Sequence, residues 1–141
     1  MTILVVSKKL VDLSSLVPES KIWIDRRSLL GNPFDLPKKD DEAQRAIVVQ
    51  AFALYLYKTM KGEEPVVVAE AIAEQRNLII ASTWKKPTRK QILLEIAKLV
   101  EMFRSKKPIS FICHCKEEGK EVLCHGDRLA KAIAYYAEQE F

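Results

Sequence analysis

Ile109-Ser110-Phe111-Ile112-Cys113-His114-Cys115, followed after a charged link by Cys124-His125-Gly126-Asp127, is the stretch on which the reading of the whole chain turns. Its first part is apolar, β-prone and introduced by Pro108, which reads as a buried strand. Its second part leads into Leu129, Ile133, Tyr136 and Ala137 at helical spacing, so a last helix is expected from about Asp127. A strand that turns through a loop into a helix is a unit of an α/β domain.

Working towards the N-terminus, Thr88 and Gln91 make a capping box, and Ile92, Ile96, Leu99, Val100 and Phe103 form one apolar stripe behind it. Residues 65–75 mix the β-prone run Val66-Val67-Val68 with Pro65 in a first turn and an Ala/Glu-rich continuation; a helix is the expectation there, with a strand at residues 78–81. Asp41 and Gln44 form a further capping box, which starts a helix carrying Ile47, Ala51, Leu54 and Tyr55 inward, and Gly62 closes it. Residues 25–39 hold Gly31, Asn32, Pro33, Asp35 and Pro37, too many turn formers for a helix. Residues 3–6 and 21–24 are short β-prone runs. Strands alternating with helices predict an α/β fold, a three-layer Rossmann-like domain with a mostly parallel sheet.

The totals agree with one domain over residues 1–141: 141 residues, 48% hydrophobic and 30% charged, is an ordinary globular mixture. A chain of this length buries roughly two thirds of its unfolded surface and needs neither disulfides nor a structural metal to fold. No run reaches the roughly 20 apolar residues of a membrane helix, and three cysteines, an odd number, suit a reducing compartment; a cytoplasmic protein without membrane contact is expected. The net charge of +4 is concentrated in residues 84–107, where eight Lys or Arg face only Glu95 and Glu101.

Ligands of parallel sheets sit beyond the carboxyl ends of the strands, and two loops leave strand ends there, after Ile24 and after Cys113. In the second loop, backbone N–H groups at the helix start can face an anion, and Gly126 allows close approach. Asp127 is either the helix N-cap or a site carboxylate. Cys113, Cys115, Cys124 and His125 could form a zinc set, although adjacent Cys124 and His125 make awkward co-ligands and no metal is the expectation. Cys124, at a helix start, is the best-placed thiol nucleophile. His114-Cys115 has Glu121 where a phosphatase loop needs Arg, which removes that reading. In the first loop, Arg26 and Arg27 suit phosphate recognition, beside Ser28 and the rigid turn of Gly31, Asn32 and Pro33.

Ile24, Arg26, Ser28 and Leu30-Gly31-Asn32-Pro33-Phe34, followed late in the chain by Cys113, Cys115 and Cys124-His125-Gly126-Asp127 with Leu129, resemble the phage and bacterial family catalogued as domain of unknown function 4326. The resemblance spans from about Ile24 to the end. Arg45 resembles the Arg that follows the Asn-Pro-Phe turn in that family. Two departures are His114, where the family has a bulky aromatic, and the charged link of residues 116–123, where it has a short proline-containing one. The resemblance implies a compact Rossmann-like fold of the kind that often handles nucleotides, with both motifs at one site; no reaction comes with it.

The expected function is binding of a nucleotide or nucleoside phosphate, with hydrolysis of the ligand, such as cleavage of an N-glycosidic bond, as its extension. Arg26, Arg27 and the amides of Cys124, His125 and Gly126 hold phosphate in this reading, Asn32 orients base or sugar, and Asp127 or Asp25 serves as acid/base. Two alternatives stand beside it. One is a zinc-containing module for nucleic acid or protein that uses residues 84–107 as its basic face; the other is a homo-oligomerising accessory protein that packs through Tyr135, Tyr136 and Phe141.

Overall fold

The computed structural model describes residues 3–7, 21–24, 28–35, 42–113 and 125–139. Three strands, β1 (Ile3–Ser7), β2 (Lys21–Trp23) and β3 (Ile109–Cys113), form one sheet in the order β1-β3-β2. Both pairings are parallel, with Val5 opposite Phe111 and Ile22 opposite the same residue from the other side. The last strand in sequence is therefore the central one. Ile109, Ser110, Phe111 and Ile112 are all buried, which is why this segment reads as an unbroken run rather than an alternating one.

Four helices, α1 (Glu42–Lys61), α2 (Pro65–Arg76), α3 (Arg89–Arg104) and α4 (His125–Glu138), have 20, 12, 16 and 14 residues. They outweigh the sheet, and the expectation of a three-layer Rossmann-like domain is corrected: the domain is mostly helical, and among the described residues the sheet has only three short strands. The difference comes from the middle of the chain. Residues 78–81 do not form a strand; Ile80 makes a single antiparallel bridge to Phe34, flanked by Asp35 N–H to Ile79 O (2.8 Å) and Ala81 N–H to Pro33 O (2.8 Å). Ile79 is 64% exposed, so the run lacks the burial an interior strand needs. Consequently α1, α2 and α3 follow one another with no strand between them, whereas a Rossmann-like domain returns to its sheet after each helix.

The helix ends follow local chemistry. Thr88 caps α3 through a complete capping box with Gln91. Gly62 ends α1 at a φ of 130°, a value that suits a residue without Cβ. Asn77 ends α2 in the left-handed region. α4 starts at His125, two residues before the expected point, so Asp127 lies in the first turn and is not the N-cap. The expected capping residue Asp41 lies outside the described residues.

The core joins α1, α2, α3, β3 and α4 around Phe52, Tyr55, Ile72, Ile92, Ile96, Leu99, Phe111, Leu129 and Ile133. On α1 the expected inward residues Ala51 and Tyr55 are buried, but the face is wider and shifted: Val48, Val49, Phe52 and Leu56 are buried as well, Leu54 is half-buried and Ile47 is exposed. Tyr55 contributes area at a cost, because its hydroxyl is buried with no hydrogen-bond partner among the described residues. Burial pushes this phenol well above its ordinary value near 10. Tyr55→Phe is expected to leave stability unchanged or to raise it by up to about 1 kcal/mol in chemical denaturation. A raised folded-state pKa gives stability that is complete below the unfolded phenol's pKa and is lost above it. Wild-type stability should therefore fall as the pH rises above about 10, and more steeply than that of Tyr55→Phe. A substantial loss of stability in Tyr55→Phe would show instead that an internal water satisfies the hydroxyl.

Candidate ligand site

A buried hydrogen bond joins the start of α4 to the residue that ends the β2 ladder. His125 Nε2 lies 2.7 Å from the backbone oxygen of Ile24, and both residues are buried. A carbonyl oxygen only accepts, so Nε2 carries the proton and donates it. Ile24 in turn donates its N–H to Ile112 O at 3.2 Å, which extends the β2–β3 ladder by one residue. The histidine of the late motif is thus tied to the residue from which the early loop departs, at the carboxyl end of the sheet.

α1 holds both motifs from below through its aromatic rings. Phe52 meets the His125 ring edge-to-face, with centroids 5.0 Å apart, and packs on Tyr55 at 5.9 Å. Tyr55 contacts Phe34, the last residue of the Leu30-Gly31-Asn32-Pro33-Phe34 turn, at 6.4 Å, and Trp84 at 6.0 Å. The sequence reading placed Tyr55 inward but passed over Phe52. Its spacing of three from both Val49 and Tyr55 was the available signal.

Asn32 is buried, and its Oδ1 accepts the Phe34 N–H at 3.0 Å. This bond closes an Asx turn and fixes the loop, so half of the side chain serves the fold. The Nδ2 donors of Asn32 have no partner among the described residues. Gly31 is buried and Ser28 half-buried in the same loop. Gly126 is buried and Asp127 half-buried in the first turn of α4, where a carboxylate is favoured by the helix dipole. Arg45 is buried on the first turn of α1.

Asp25, Arg26, Arg27, Cys115 and Cys124 lie outside the described residues, as does Phe141; Cys113 is placed as the last residue of β3. The zinc alternative, which needs Cys113, Cys115, Cys124 and His125 together, falls mostly among them. Among the described residues no group of three His, Cys, Asp or Glu side chains is arranged to hold a metal ion.

The basic segment at residues 84–107 is partly committed to structure. Arg89 donates from Nε to Thr59 O (2.8 Å) and from Nη2 to Met60 O (3.2 Å), covering the last carbonyls of α1. Arg104 likewise donates to Ala137 O (3.0 Å), Tyr136 O and Gln139 O at the end of α4. Both guanidinium groups act as helix C-terminal caps, a role the sequence reading missed.

The class these features define is a small, mostly helical domain in which the carboxyl ends of parallel strands, an Asx-turn loop and a helix start converge. The chain belongs to the family described as Domain of unknown function (DUF4326), whose model matches residues 11–135. Neither curated proteins nor solved structures give a significant match. Among the described residues no helix is long and apolar enough to cross a membrane.

Proposed function

We propose that this protein binds a nucleotide or nucleoside phosphate between the loop that follows Ile24 and the first turn of α4. The observation that carries the reading is the buried His125 to Ile24 hydrogen bond, which joins the two motifs at the carboxyl end of a parallel sheet. That location is where ligands of such sheets bind. Arg26 and Arg27 follow Ile24 directly in sequence and supply the phosphate-binding charge, while Asn32 Nδ2 offers a donor to a base or sugar. Hydrolysis of the ligand would fall to Asp127 or Asp25 as the acid/base and is tested separately by product analysis. The odd cysteine count suits a reducing compartment, and the cytoplasm is the proposed location.

Thermal denaturation with a panel of nucleoside mono-, di- and triphosphates tests the reading. A saturable rise in midpoint with at least one of them is expected, and Arg26→Ala should abolish it while melting normally without ligand. Absence of any rise across the panel in the wild-type protein would remove the nucleotide reading.

A further inference from the structure

A second surface, away from the two loops, has a chemistry of its own. Between the second half of α1 and the exposed side of α4 lies a groove of about 580 Å³. Three phenols line it: Tyr57 and Tyr135, 56% and 58% exposed, and half-buried Tyr136. Tyr135 and Tyr136 meet edge-to-face at 5.3 Å, and the Lys61 ammonium stands 5.5 Å from the centroid of the Tyr57 ring. Arg128 and Lys131 complete the lining on α4, and no carboxylate is among the lining residues. Burial, and then the neighbouring Tyr135 and Tyr57, push the Tyr136 hydroxyl above its ordinary value.

From this pairing of exposed aromatic rings with three unopposed cations, we infer that the α1/α4 groove is a binding site for single-stranded nucleic acid. Bases stack on tyrosine faces whatever their identity, and the flanking Lys and Arg follow the phosphates. Each component of the groove has a use in that complex and only part of it in the alternatives. A duplex keeps its bases stacked on one another and cannot use the rings. An acidic peptide would satisfy the cations and leave the rings uncovered. A second copy would bring Lys61, Arg128 and Lys131 against the same three cations on a chain whose net charge is already +4. The α4 carbonyls, which would repel a phosphate at the far end, are covered by Arg104. The site is independent of the nucleotide reading and would stand if that reading failed.

Fluorescence anisotropy with short labelled oligothymidylate and oligouridylate, run on the full chain at several salt concentrations, tests the inference. Binding that weakens steadily with salt is expected, with a duplex of the same length bound more weakly. Tyr135→Ala should weaken it about tenfold or more, and Arg128→Glu with Lys131→Glu should abolish it. Each substituted residue is exposed, so unchanged melting curves can establish that the variants fold; light scattering reports their assembly. Tyr135→Ala should also keep any thermal shift given by mononucleotides, which separates this groove from the two-loop site. The inference is overturned if no oligonucleotide binds, if both variants bind like the wild-type protein, or if Tyr135→Ala instead dissolves a homodimer.

Discussion

Phe52→Ala should cost about 3–5 kcal/mol in chemical denaturation, the largest loss expected from a single substitution on α1. Phe52 is only 1% exposed and sits at the centre of the aromatic row, with one face to His125 and another to Tyr55. Truncation leaves a cavity that a helix in mid-span cannot close, since Val48, Ala51 and Leu56 on either side are themselves buried. The loss has a second component, because the ring also props the imidazole that ties α4 to Ile24. A double-mutant cycle between Phe52→Ala and His125→Ala, which removes the imidazole ring altogether, should therefore show a coupling of about 0.5–1.5 kcal/mol. Phe52→Leu, which keeps most of the volume, should lose far less. A Phe52→Ala cost below about 1 kcal/mol would mean that the row is not part of a packed core.

His125→Phe should cost about 1–3 kcal/mol, for a different reason. Phenylalanine retains a flat ring against Phe52, so packing is nearly conserved and the measured loss reports the polar interactions of the imidazole, the bond to Ile24 among them. What the variant leaves is a buried Ile24 oxygen with no other described donor, and the desolvation of that group is no longer offset. Because the bond joins the early loop to α4, its loss should also release the loop, so amide exchange at Ser28 and Leu30 is expected to quicken more than the global loss of stability accounts for. Equal protection of these amides in both proteins would show that the loop is held by other contacts.

Much of this was legible in the sequence where local chemistry decides the outcome. The Thr88 and Gln91 capping box, Gly62 at the end of α1, Pro65 at the start of α2 and the apolar run of β3 each carry their own signal. What could not be read is what depends on distant partners. The segment at residues 78–81 has the composition of a strand, yet it meets only the turn around Pro33 and Phe34, so it forms one bridge and the expected layering fails. The extended face of α1 is set by the rings of Phe34, Trp84 and His125 on other parts of the chain, and no spacing within α1 announces them. Arg89 and Arg104 look like solvated charges in sequence and are helix caps in space.

The candidate site divides along the same line. The two motifs were recognisable as a pair, but the contact between them runs through the His125 ring and the Ile24 backbone, and a backbone acceptor leaves no trace in residue identity. Asn32, expected to face a ligand, gives its oxygen to its own turn and keeps only its nitrogen for that purpose.

The central claim, that the loop after Ile24 and the start of α4 form one ligand site, is tested most directly by nuclear magnetic resonance titration with the nucleoside phosphate that gives the largest thermal shift. The amides of Gly31 and Asn32 in the loop, and of Gly126 and Asp127 in α4, should move together and fit a single dissociation constant. Movement of only one pair, or of neither, would contradict it.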